Sequence, residues 1–107
     1  MGTNLEEQIT QGKALWITSF VFELIECSSK LFLTSDPDSG KADRVVEFSG
    51  ISSLSVSRFH DSGDACFGDF LGLNMKKKNG RFEYLINTGD SEVCFEAAVE
   101  PILTSLV

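Results

Sequence analysis

Apolar and polar residues alternate with a period of two over most of this chain, the pattern of strands that bury one face. The exception is the N-terminus. Thr3-Asn4-Leu5-Glu6 reads as a capping box, Leu5 and Ile9 stand four apart, and Gly12 suits a helix stop. That spacing predicts a short helix over about residues 4–11, stable only when docked. From Ile17 to Cys27 the chain is dense in β-branched and aromatic residues. Phe20, Phe22 and Leu24 share one face and Val21, Glu23 and Ile25 the other, as in a central strand buried on both sides. Ser28-Ser29 then predicts a tight turn into Lys30–Thr34, where Leu31 and Leu33 oppose Phe32.

Turn chemistry divides the rest. Asp36-Pro37-Asp38-Ser39-Gly40 is a loop, because Pro presets φ and Gly supplies positive φ. Arg44–Phe48 follows as a strand, with Val46 and Phe48 alternating against Val45 and Glu47. Ile51 lies out of register with Leu54 and Val56, so a turn or bulge at Gly50–Ser52 has to absorb the change. Leu54–Arg58 alternates again, and residues 60–69 form a second loop. Leu71, Leu73 and Met75 alternate up to Lys76-Lys77-Lys78. Asn79-Gly80 then marks a two-residue type I′ hairpin, whose central residues both need positive φ. Phe82, Tyr84 and Ile86 share a face of the returning strand. A last strand runs through Val93, Phe95, Ala97 and Val99 before Pro101 ends it. The expected fold is mainly β, α+β at most, in a single domain over residues 1–107. About seven strands form an antiparallel meander, curved or packed as two layers, with the N-terminal helix closing an open side.

Charge narrows the partners. Sixteen acidic against nine basic residues give −7 over 107 residues, spread evenly along the chain. Such a chain repels phosphate backbones, which argues against nucleic acid and anionic membrane surfaces as partners; an acidic surface serves solubility first, and steering a basic protein partner is the alternative reading of the same charge. No stretch approaches the roughly 20 apolar residues of a membrane span, and the first residues lack the basic and apolar regions of a signal peptide. Three cysteines, an odd count without a CxxC pair, fit reduced thiols in the cytoplasm. Cys27 and Cys94, set in apolar runs, are expected to pack as small core hydrophobes.

Catalytic patterns do not assemble. His60 is the sole imidazole, there is no G-x-S-x-G, and no Gly-rich loop leads from a strand into a helix. The Asp36–Asp43 segment resembles a calcium loop only in its first and third positions, since Gly40 and Lys41 stand where that pattern wants Asp or Asn and then Gly. No catalytic residue, metal ligand or cofactor is assigned. The alternative is a small metal-dependent hydrolase or metal-binding domain using His60, Asp61, Asp64 and Asp69 in the 60–69 loop. The loop carboxylates Asp61, Asp64 and Asp69, together with Tyr84, are the candidate partner-binding residues. Trp16, Phe59, Phe67 and Tyr84, beside loops or at strand ends, are the expected exposed aromatics. Lys76-Lys77-Lys78 reads as a charged hairpin tip that discourages edge-to-edge pairing.

The order of features from Phe20 to Val99 resembles a group of small bacterial β-rich domains that includes immunity proteins of polymorphic toxin systems and YxiG-like proteins. The similar parts are the strand pair around Leu24–Leu33, the run Val46-Glu47-Phe48-Ser49-Gly50-Ile51-Ser52-Ser53-Leu54, the segment Gly68-Asp69-Phe70-Leu71 and the hairpin ending in Phe82-Glu83-Tyr84. This resemblance implies a cytoplasmic, non-enzymatic protein that binds a single cognate protein. The expected function is therefore a protein-interaction domain, of the immunity type that masks a toxin through an acidic face.

Overall fold

A computed structural model describes residues 5–58, 69–89 and 91–106. Among the described residues one α-helix, α1 (Leu5–Thr10), precedes eight strands, with a single 3-10 turn (Pro37–Ser39) between the second and third: β1 (Leu15–Glu23), β2 (Ser28–Thr34), β3 (Arg44–Ser49), β4 (Ser52–Arg58), β5 (Asp69–Lys78), β6 (Arg81–Thr88), β7 (Ser91–Ala97) and β8 (Ile102–Ser105). All pairs are antiparallel, and the order across the sheet is β4-β7-β6-β5-β1-β2-β3-β8. The mainly β expectation holds, with β8 as a strand that the sequence reading did not identify.

The connectivity is not a simple meander. β1-β2-β3 and β5-β6-β7 are each meanders, and each receives its fourth strand from the other: β4 follows β3 but pairs with β7, while β8 follows β7 but pairs with β3. Among the described residues the two halves are joined at the centre by only two residue pairs, Leu15↔Phe70 and Trp16↔Asp69. The sheet bends there and closes its apolar faces on each other. Phe48 of β3 meets Tyr84 of β6 and Phe95 of β7 edge-on, at 5.0 and 4.9 Å between ring centres. Leu31, Leu33 and Val46 fill one side of this core, and Ile86, Val93 and Ala97 the other.

Both exchanges pass through one point. Gly50, at φ 68°, carries the chain from β3 to β4 under Ala98, whose N–H donates to the Ser49 carbonyl at 3.2 Å. A Cβ on Gly50 would lie 2.6 Å from the Ala98 Cβ. Only glycine fits there on both counts.

Register shifts explain where alternation misleads. Between Ile17 and Ser19 β1 carries an extra residue, so Leu15 and Ile17 face the core before the bulge and Phe20 and Phe22 lean on it afterwards. A second shift between Phe70 and Gly72 leaves Phe70 and Leu73 inside and Leu71 66% exposed, which corrects the expected pairing of Leu71 with Leu73. A third, at Ser53 (φ 56°), meets the expected irregularity near Gly50–Ser52.

The first hairpin also differs from the expectation. β1 ends at Glu23, and Leu24–Cys27 form the turn, so Ser28-Ser29 belongs to β2. Leu24 and Ile25 project beyond the end of the sheet, 80% and 99% exposed, because no facing strand reaches them. Cys27 is an exposed turn residue with φ 52° rather than a core hydrophobe. The Asn79-Gly80 turn is as expected, with φ 52° and 79°.

Helix α1 buries Ile9 completely and lies along β5. Beyond Phe70, β5 pairs with no strand on its β1 side among the described residues. There Glu6 Oε1 accepts the Leu73 N–H at 2.8 Å, so a carboxylate satisfies an edge donor as a neighbouring strand would. Arg44 ties the helix end to β3 by donating to the Ile9 carbonyl, and its Nε donates to Asp43 Oδ1 at 2.8 Å.

Candidate interaction face

The half-sheet β5-β6-β7-β4 turns one face to the core and the other outward. Its pairing register builds three rows across the outer face: Lys76–Glu83–Glu96–Ser52, then Asn74–Leu85–Cys94–Ser55, then Gly72–Asn87–Glu92–Ser57. Period two makes this outer set the complement of the buried Leu73, Tyr84, Ile86, Val93 and Phe95. Three carboxylates, Glu83, Glu92 and Glu96, thus gather on adjacent strands around Cys94. Glu83 and Glu96 stand directly opposite each other, an arrangement that costs free energy through like-charge repulsion. None of the three forms an ion pair with a described residue.

Electrostatics at the centre of the face follow. The Cys94 thiol is pushed up by burial, then by the charges of Glu92 and Glu83, and its Sγ lies 3.8 Å from Glu92 Oε1. A thiol held protonated is a poor nucleophile, so this cysteine is not poised for covalent chemistry. It is half-buried on the outer face, where the sequence reading placed it in the core. At the far edge Arg81 is committed to structure: its Nη2 donates to the Gly50 carbonyl and to Ser52 Oγ, both at 2.9 Å. Lys76, Lys77 and Lys78 lie exposed on the part of β5 whose other edge carries no strand among the described residues, consistent with the edge-guarding role expected of them.

Of the candidate partner-binding residues, Tyr84 and Asp69 are described, and they do not share a surface. Tyr84 is fully buried between Phe48 and Phe95, which corrects its expected exposure and removes it from any partner contact. Its position on β6 alternates with Glu83 and Leu85, so the pattern that put Phe82 and Ile86 inside also puts Tyr84 there. Its hydroxyl is buried without a hydrogen-bond partner among the described residues, and burial, helped by the charge of Glu100, pushes its pKa up to about 12. Asp69 is exposed at the start of β5, beside Trp16 and Gly89. Met75, which faces Tyr84, is six residues farther along the strand, roughly 20 Å away. Trp16 is half-buried. Asp61 and Asp64, with His60, Phe59, Phe67 and Cys66, lie outside the described residues. Among the described residues no three of His, Cys, Asp and Glu are grouped to hold a metal ion. The carboxylate row was the signal the sequence reading missed: Glu83, Glu92 and Glu96 are legible as outward strand positions, but only the register places them side by side.

No family model matches the chain, and no curated protein matches it either. A fold match does exist. The crystal structure of an uncharacterized protein from Neisseria gonorrhoeae superposes with a TM-score of 0.66 at 16% identity, covering 88% of this chain and 93% of that one. At that identity the likeness concerns the fold alone. No helix among the described residues is long and apolar enough to cross a membrane.

Proposed function

We propose that this chain is a non-catalytic protein-interaction domain that binds a basic partner protein on the outer face of β5-β6-β7-β4, in the way an immunity protein masks its toxin. One observation carries the reading: Glu83 and Glu96 face each other across β6 and β7 with Glu92 nearby, and none of the three closes an ion pair with a described cation, Lys76 opposite Glu83 included. A cationic side chain from a partner relieves that repulsion, so binding and the relief of internal strain point the same way. Half-buried Leu85 and Cys94 at the centre supply an apolar patch between the charges. The resemblance of the order of sequence features from Phe20 to Val99 to immunity-type domains supports the same reading, and a cytoplasmic setting suits the unpaired thiols of Cys27 and Cys94.

The test is recovery of the tagged chain from its own host under several lysis conditions, with co-eluting proteins identified. A single basic protein should co-elute and be released by salt. Replacing Glu83, Glu92 and Glu96 together by Gln should weaken its capture by about tenfold or more. Recovery of the chain alone under every condition, or capture unchanged by the triple variant, sinks the proposal.

A further inference from the structure

Helix α1 covers only part of the open margin of β5. It is six residues long, about 9 Å, and the strand it lies along runs on to Lys78. A cavity of about 430 Å³ remains beside it. Among the described residues its walls include Leu5 and Glu6 of α1, Leu73 and Met75 of β5, and Glu100 and Pro101 of the β7–β8 link. That volume falls within the range of small-molecule sites. Two carboxylates line the cavity, and no Lys, Arg or His does among the described residues. Glu6 is held in place through its Oε1, which accepts the Leu73 N–H. Its Oε2 and the whole carboxylate of Glu100 have no partner among the described residues.

Behind this wall lies a polar group without a partner. The Tyr84 hydroxyl is fully buried and makes no hydrogen bond to a described residue, a deficit that phenylalanine in the same place would avoid. The ring is pinned between Phe48 and Phe95. Directly opposite it on β5 stands Met75, and the charge that reaches the phenol is that of Glu100. Both residues are cavity walls, so the hydroxyl is directed at the inner end of the cavity, behind Met75.

We propose that this cavity binds a small organic cation, a primary ammonium on a compact apolar body. The ammonium sits between the Glu100 carboxylate and the Tyr84 hydroxyl with the Glu6 charge nearby, and the body lies on Leu5, Leu73 and Pro101. Met75 turns aside to admit it. Its side chain is unbranched and the residue is 42% exposed, so the movement disturbs little packing. Three properties select this ligand. Carboxylates without described cations attract positive charge and repel anions. Apolar walls favour a hydrocarbon body over a hydrated metal ion. A neutral phenol accepts a hydrogen bond from an ammonium, which supplies the partner it lacks. Glu83, Glu92 and Glu96 project from the other side of the half-sheet from Tyr84, so this site and the docking of a basic protein are independent.

The experiment is calorimetric titration of the full chain at pH 7 with 2-phenylethylamine and with its neutral isostere, 2-phenylethanol. The amine should bind with a Kd of roughly 0.1–5 mM, the scale for a ligand of so few atoms, and the alcohol about tenfold more weakly or worse. Glu100→Gln should weaken the amine by about tenfold and Tyr84→Phe by about threefold or more. Replacing Glu83, Glu92 and Glu96 together by Gln should leave its affinity within about twofold. The chain has a single tyrosine, so its ring Cζ resonance in carbon-13-labelled protein reads the hydroxyl without a substitution. That resonance should move with the amine and hold its place with the alcohol at the same concentration. No binding of the amine below about 20 mM overturns the proposal. So does an alcohol that binds equally well, an amine affinity that either single substitution leaves unchanged, or a tyrosine resonance that stays fixed.

Discussion

Gly50→Ala tests the exchange of strands between the two meanders. At φ 68° an alanine enters the left-handed region, at a cost of roughly 1–2 kcal/mol. Its Cβ also arrives 2.6 Å from the Ala98 Cβ and 3.2 Å from the Ala98 nitrogen. Both belong to a segment held by the Ala98-to-Ser49 hydrogen bond, so neither can swing aside as a long side chain would. Forcing an atom into such a contact costs about 1–3 kcal/mol. Together the expected loss is about 2–5 kcal/mol, which for a domain of this size lowers the melting temperature by roughly 10–25 °C. The assay is urea denaturation of four proteins: the unaltered chain, Gly50→Ala, Ala98→Gly and the double variant. Ala98→Gly alone should cost no more than about 1 kcal/mol. In the double variant it should restore about 1–2 kcal/mol, because it removes the 2.6 Å collision and leaves the φ strain and the 3.2 Å approach to the backbone nitrogen of residue 98. A loss below about 1 kcal/mol for Gly50→Ala, or strict additivity in the cycle, refutes the close passage of the two crossovers.

Three further outcomes are expected. The Asp43 carboxylate accepts the Ser35 hydroxyl at 2.7 Å, the Ser35 N–H at 2.9 Å and Arg44 Nε, and these bonds lower its pKa from 3.8 to about 2. A depressed carboxylate stabilises the fold above its unfolded pKa, and the benefit is lost as pH falls through about 2. Asp43→Asn should therefore cost about 1–2 kcal/mol at pH 7 in chemical denaturation, the partial solvent exposure of the carboxylate keeping it at the low end, and next to nothing near pH 2. Glu6→Ala frees the Leu73 N–H on the open margin of β5. It should cost about 1–2 kcal/mol, with faster exchange of the Leu73 amide than of Ile86. Tyr84→Phe deletes a buried hydroxyl that makes no hydrogen bond to a described residue. It should be neutral or stabilising by up to about 1 kcal/mol in thermal melts, and a loss above that would show the hydroxyl is satisfied.

Much of the fold is local in origin and therefore legible in the residues themselves. Positive φ at Asn79-Gly80, the loop at Asp36–Gly40 and the inward set Phe82, Tyr84 and Ile86 depend on turn stereochemistry and the two-residue repeat of a strand, which need no distant partner. The short helix is of the same kind, although the role of Glu6 is not: a capping residue by spacing, it acts as a lid on β5 by position. Alternation fails where a bulge shifts it, at Thr18 and Leu71, because an added residue is visible only against the strand it faces. It fails again at Leu24 and Ile25, which are apolar yet lie past the end of the sheet. Tertiary structure alone decides that β4 leaves β3 for β7 and β8 leaves β7 for β3. Two-residue and four-residue links serve a neighbour or a crossover equally well, and the choice rests on which long-range pairing buries Phe48 against Tyr84 and Phe95. The acidic face is settled at that level too: strand order and register, not composition, bring Glu83, Glu92 and Glu96 onto one surface.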